Sequence, residues 1–129
     1  GKKLYLKVSD LYVQHQKPAV FEDDSIQQVI LEITSNRLGA TAVINKKKQV
    51  TGIITDGDLR RMIEKNGSME KLKAKDIMGK APRTIRKDEL AINALEMMRG
   101  NQITQVIVKD GNQYLGMVHV HDLLKEGLV

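Results

Sequence analysis

Apolar and polar positions alternate along the chain in two rhythms, and the same succession of rhythms occurs twice. Ile26, Val29, Ile30 and Ile33 follow the 3.6-residue spacing of a helix with one buried face, which predicts a helix from Ile26 to about Asn36. Asp24-Ser25 precedes it, and Asp88 precedes its later counterpart; both offer side-chain oxygens that can cap free amides. The second helix is predicted to end at Gly100, a residue suited to a left-handed C-terminal position. Each helix is preceded by a short extended piece, Ala19–Phe21 or Arg83–Ile85, and followed by two strands: Thr41–Asn45 and Val50–Thr55, then Thr104–Lys109 and Tyr114–His119. Asp110-Gly111 is a hairpin signal between the second pair. A last helix is predicted to start at Asp56-Gly57-Asp58 in the first half and at Val120-His121-Asp122 in the second.

Shifted by 64 residues, the sequence sets Pro18 against Pro82, Asp24 against Asp88, Gly52 against Gly116, and Asp58-Leu59 against Asp122-Leu123. Apolar positions coincide as well: Ile26, Ile30, Leu31 and Ile33 meet Leu90, Ala94, Leu95 and Met97. Ser9-Asp10-Leu11-Tyr12 matches Lys75-Asp76-Ile77-Met78 at 66, so the first copy has two extra loop residues before its proline. The fold class expected is α+β (α/β), with tandem pseudo-twofold β-α-β-β-α repeats. Residues 1–66 form repeat 1, 67–73 a linker marked by Asn66-Gly67-Ser68, and 74–129 repeat 2. A unit of this size buries only about 60% of its chain surface. The copies are therefore expected to share a core, with equivalent residues facing symmetric clefts.

The composition narrows the chemistry. There are no cysteines among the 129 residues, which removes disulfides, thiolate metal sites and a cysteine nucleophile. Tryptophan is absent and the aromatics are three Tyr and one Phe, so the core must be aliphatic. The six methionines, Met97 and Met98 among them, fall at helical spacing and are read as core filling. No apolar run approaches the roughly 20 residues that span a bilayer, and Gly1-Lys2-Lys3 lacks the apolar stretch of a signal peptide. A soluble, cytoplasmic protein is expected, and a start at Gly1 without Met suggests a cloned fragment. The +5 charge raises nucleic acid as a partner, but the charges are scattered. Lys46-Lys47-Lys48 reads as a solvated hairpin tip, and Lys71, Lys73 and Lys75 fall near the linker. Stacking aromatics are scarce, so a phosphorylated small molecule explains the excess better than nucleic acid.

Candidate chemistry gathers where the strand turns into the last helix. In Gly52-Ile53-Ile54-Thr55-Asp56-Gly57-Asp58-Leu59-Arg60-Arg61 a strand ends at a hydroxyl and enters a helix with a carboxylate. Free amides and the helix dipole favour an anion there. Thr55 could donate to a phosphate while Asp58 accepts both hydroxyls of a ribose. A plain N-cap requires the same residue types. The second copy keeps Gly116 and Asp122 but puts His119 where Thr55 stands. That raises the weight of ligand contact at Asp58 and Asp122, with helix-start electrostatics as the rival. His119 and His121 are expected on opposite faces of a strand, with no ligand set completed in sequence, so no metal is expected. His15 carries no readable signal. Asp56-x-Asp58 lacks the rest of a calcium loop. No phosphate-loop or nucleophile motif is present, and no catalytic residue is assigned.

The repeated unit with Gly-x-x-Thr-x-x-Asp-Leu at its last corner resembles a cystathionine β-synthase (CBS) domain pair, the Bateman module. More narrowly, Leu31-Glu32-Ile33-Thr34, Thr55-Asp56-Gly57-Asp58-Leu59-Arg60-Arg61 and His119-Val120-His121-Asp122-Leu123-Leu124 resemble the C-terminal CBS pair of D-arabinose 5-phosphate isomerases. The resemblance implies a regulatory module with no required cofactor, sensing a nucleotide or a nucleotide-sugar such as CMP-Kdo in the inter-repeat cleft. It implies Thr55 and Asp58 as phosphate and ribose positions of one site and Asp122 as the ribose position of another. His119 departs from the family's Thr, and phosphate would fall to Arg60, Arg61 or His121. The implied parent is an aldose–ketose isomerase of Kdo and lipopolysaccharide synthesis. Its sugar isomerase (SIS) domain would precede this pair, which is expected to dimerise and to bind neither nucleic acid nor membrane. The alternative is a structural dimerisation or spacer module with no ligand.

Overall fold

The helical stripe of the first repeat is buried as its period requires. In the computed structural model, which describes residues 2–65 and 68–128, the elements run α1 (Ser9–Tyr12), β1 (Ala19–Phe21), α2 (Ile26–Asn36), β2 (Ala40–Ile44), β3 (Val50–Thr55), α3 (Asp56–Lys65), α4 (Ala74–Ile77), β4 (Gly79–Lys80), β5 (Thr84–Arg86), α5 (Ala91–Asn101), β6 (Gln105–Asp110), β7 (Gln113–His119) and α6 (Val120–Lys125). Ile26, Val29 and Ile33 of α2 are buried. Val29 and Ile33 pack with Val20, Val43 and Ile54 from the strands beside them. Each such side chain contributes about 1.5–3 kcal/mol by leaving water, which is why so few aromatics suffice.

The strands form two sheets, ordered β1-β2-β3-β4 and β5-β6-β7. In each, the first strand runs parallel to the second and the second antiparallel to the third. The α+β repeat is therefore present twice. One compact unit comprises residues 18–82; the other joins the segment up to Lys17 to the chain from Arg83 onward. Sequence repeats and compact units are thus cut differently. The short helix of each copy is given to the other copy's unit: α1 packs on β7, and α4 packs on β3 and α3. Of the residues read as a linker start, Asn66 and Gly67 lie outside the described residues; Met69–Lys71 forms a 3-10 turn. Lys75 lies in α4 and pairs with Asp23 at 3.0 Å.

This exchange accounts for the repeated glycine. A Cβ on Gly52 would lie 2.5 Å from Met78 Sδ and 2.9 Å from the Gly79 carbonyl oxygen, and one on Gly116 would lie 2.8 Å from Tyr12 Cδ1. Tyr12 and Met78 are the matched ends of α1 and α4, so each glycine makes room for the helix received from the other repeat.

Three expectations need correction. The helices correspond at a spacing of 65, not 64: buried Ile26, Val29 and Ile33 match buried Ala91, Ala94 and Met98. Leu31, set against Leu95 by the sequence, is 57% exposed while Leu95 is buried. The missing residue is absorbed in the hairpins, which leave Asn45–Gln49 between the first pair of strands and only Gly111-Asn112 between the second. For the same reason Asp88 does not cap α5: the N-cap is Leu90, which makes no side-chain cap bond. Asp88 pairs with Arg86 instead. Ser25 does cap α2, accepting from the Gln28 amide at 3.1 Å. Finally, Gly100 lies inside α5, and the left-handed residue is Gln102 at φ 55°. The lysines at 46–48 form the exposed hairpin tip expected of them.

Candidate functional site

Two strand-to-helix corners carry the expected residues, and each is built around a carboxylate three positions past the end of a strand. At the first, β3 ends at Thr55 and α3 begins at Asp56. Asp58 turns back on the corner: its Oδ2 accepts from the Thr55 amide at 2.9 Å and from the Thr55 hydroxyl within 3.2 Å, while the Asp58 amide lies 3.3 Å from Thr55 Oγ1. This reciprocal arrangement satisfies helix-end donors that would otherwise go unpaired. Oδ1 of Asp58 accepts from Arg61 Nη at 2.7 Å. The Asp58 side chain is 19% exposed and that of Arg61 63%.

Beside this corner lies a cleft of about 300 Å³, lined by Asp58, Arg61, Met62, Lys65, Leu72, Asp76 and Ile77. Three of the lining positions stand at i, i+3 and i+7 on one face of α3: Asp58, Arg61 and Lys65. The wall opposite is α4, the helix received from the other repeat. Lys65 and Asp76 were not singled out by sequence. The helical spacing from Asp58 would have found Lys65, whereas Asp76 is brought by a contact that no local pattern announces. Arg60 is exposed on α3 and does not line this cleft.

At the second corner β7 ends at His119 and α6 begins at Val120. Asp122 makes the same backbone contact as Asp58, accepting from the His119 amide at 2.7 Å. Its other partner is different. Nε2 of His15 lies 2.7 Å from Oδ1 and 2.8 Å from Oδ2. An ionised carboxylate has no proton to give, so the imidazole donates. Asp122 is only 6% exposed.

His119 and His121 do not diverge as a strand would make them. The strand stops between them, and their rings lie 4.5 Å apart at 49°. The His121 amide donates to His119 Nδ1 at 3.1 Å, which leaves the ring proton of neutral His119 on Nε2. His119 has its pKa lowered below 6.5, first by burial and then by the charge of His121, against the opposing pull of Asp122 and with a smaller repulsion from His15. His15 and the His119 amide therefore bond Asp122, and His121 rests on the His119 ring. Among the described residues no three His, Asp or Glu side chains are placed to hold a metal ion. Among those same residues no helix is long and apolar enough to cross a membrane.

His15 was illegible because its role depends on the two extra residues before Pro18. In repeat 2 the equivalent stretch is β4, paired with β3. In repeat 1 it is a strap, residues 13–17, that carries His15 to Asp122 and sets Lys17 Nζ 5.3 Å from the Tyr114 ring centre.

A family model described as the CBS domain matches twice, over residues 8–65 and 74–128. The arabinose 5-phosphate isomerase KdsD of Salmonella typhi is 40% identical over the whole chain, which covers 40% of that relative. The KdsD of Francisella tularensis is 41% identical over 97% of the chain and 38% of its own length. The chain thus spans about 40% of the length of the curated relatives it matches. Among solved structures, the CBS-domain containing protein ATU1752 from Agrobacterium tumefaciens superposes with a TM-score of 0.83 at 21% identity, covering 96% of this chain and 95% of that one. The CBS domain protein PAE2072 from Pyrobaculum aerophilum, solved in complex with AMP, gives 0.83 at 20% identity, covering 96% of this chain and 100% of that one.

Proposed function

Because the chain belongs to the CBS domain family, with both repeats matched, we propose that it is a ligand-sensing module. It binds a nucleotide or nucleotide-sugar at the Asp58 corner and regulates an arabinose 5-phosphate isomerase. The relatives' names support the parent activity, and the AMP complex of a structural neighbour supports the ligand class. In the parent, a cytoplasmic enzyme of Kdo and lipopolysaccharide synthesis, a sugar isomerase domain interconverts ribulose 5-phosphate and arabinose 5-phosphate. This pair dimerises and senses an effector such as CMP-Kdo or an adenine nucleotide.

One observation carries the proposal: a fixed carboxylate and two cations share one face of α3 on a cleft of about 300 Å³. The backbone bond from Thr55 holds Asp58 in place, so no ordering cost remains when it accepts the two hydroxyls of a ribose. The Arg61 contact is no obstacle. An exposed ion pair is worth about 0–1 kcal/mol, and the ligand hydroxyls replace it. Arg61, once released, and Lys65 then lie on the side where a phosphate would sit, and guanidinium–phosphate pairs are strong and directional. Arg60 is left as a weaker outer contact, and Thr55 supplies a hydroxyl at the rim.

Calorimetric titration with CMP-Kdo, CMP, AMP and ATP tests the reading. At least one is expected to bind, with affinity lost in Asp58→Ala; a ligand at 100 times its Kd should stabilise the fold by about 2.7 kcal/mol. Binding untouched by Asp58→Ala would remove the proposed site. A second reading, a spacer that dimerises the parent without a ligand, is favoured by the fact that both carboxylates are already bonded within the fold. It predicts no thermal shift with any of the four.

A further inference from the structure

The doubled sequence suggests two equivalent sites, and the side chains deny it. Asp58 gives one oxygen to the corner and the other to a mobile-stemmed, mostly exposed arginine. Asp122 gives both oxygens to His15 and one of them also to the His119 amide. A carboxylate so engaged has little acceptor capacity left for a diol, and a hydroxyl could reach it only by displacing His15 from a short, largely buried bond. The imidazole is held by its own segment. Lys17 lies against Tyr114 on β7 two residues later, and Tyr12 packs against Gly116 three residues earlier. The strap is thus held on both sides of His15, which keeps the imidazole within reach of Asp122.

We propose that His15 is a built-in occupant of the Asp122 corner. The chain takes one nucleotide rather than two, and Asp122 serves to fasten the strap that leads into the other unit. His119, in place of a hydroxyl, closes the same corner with a half-buried ring. The occupancy claim rests on the nucleotide reading above; the fastening claim does not.

Two measurements separate them. Titration of the chain with AMP, and separately with CMP, should give one bound nucleotide per chain, and Asp58→Ala should abolish all binding. Two per chain, or one retained in Asp58→Ala, would overturn the occupancy. Melting of His15→Ala, Asp122→Asn and the double variant should show each single change lowering Tm by at least about 4 °C, with the double no worse than the poorer single. His15→Gln, which keeps a donor of similar reach, should recover part of the loss. Independent, additive shifts would overturn the fastening. If neither binds the unaltered chain, the count is made with whichever of ATP and CMP-Kdo does; if none of the four binds, the functional reading and the one-site stoichiometry fail together, and the melting cycle still decides whether His15 holds Asp122.

Discussion

The two corners share a backbone design and differ in what completes it. Both place an aspartate three residues after a strand end and bond it to the amide at that end, at 2.9 Å for Asp58 and 2.7 Å for Asp122. The first then faces a cleft with a mostly exposed arginine as its partner, while the second is sealed by a histidine 107 residues away in sequence. One carboxylate of the duplicated motif lines a cleft, and the other is tied to His15. Motif identity specifies how the helix starts, and the segment packed against it decides whether the carboxylate remains available.

The sharpest way to break this comparison is to remove each carboxylate in turn. Asp122→Ala strips a partly buried histidine of its acceptor and a helix start of its cap, and should cost about 3 kcal/mol in urea unfolding. Asp58→Ala removes a cap and an exposed pair and should cost about 1 kcal/mol. Equal losses would mean that the corners are energetically alike.

The glycines come next. Gly52→Ala and Gly116→Ala should each cost about 1–3 kcal/mol by overpacking. Each carries a cost that a flexible neighbour cannot relieve: a carbonyl oxygen at 2.9 Å for Gly52, and for Gly116 a φ of 157°, which residues with a side chain rarely adopt. Tyr12→Ala and Met78→Ala should therefore each restore only part of the matching loss, which denaturation of the double variants would reveal. Failure of both rescues would argue against the exchange of α1 and α4.

A smaller effect distinguishes the corners by pH. His119 is held below its ordinary pKa by burial and the nearby His121, so below about pH 6.5 the unfolded chain takes up a proton that the folded chain resists. That part of stability is present above pH 6.5 and declines as pH falls toward the lowered pKa. His15, His121 and Asp122 share the corner, so the comparison is with His119→Thr, which should flatten the decline between pH 7 and 5. Thr55, the counterpart in the first corner, does not titrate.

Much of this was readable from the chain. The period of Ile26, Val29 and Ile33 located α2, the first strand-to-helix corner fell where hydroxyl, glycine and carboxylate cluster, and the second fell at its counterpart, His119 to Asp122. The one-residue slip between repeats was not readable, because Ala94 and Leu95 meet apolar residues at either offset, Ile30 and Leu31 at 64 and Val29 and Ile30 at 65, and only burial separates them. Nor was His15: a histidine in a loop has no periodicity, and its partner is brought close by a tertiary exchange of segments. Asp76 was hidden for the same reason. Sequence put the two carboxylates at equivalent corners, and packing tells them apart: Asp58 lines a cleft and Asp122 is bonded to His15.

The central claim, that Asp58 is open and Asp122 is taken, is tested most directly by amide NMR of the chain titrated with AMP. Perturbations are predicted at Thr55, Gly57, Asp58 and Arg61, with His119, His121 and Asp122 unmoved. Equal and saturable shifts at both corners would contradict the account.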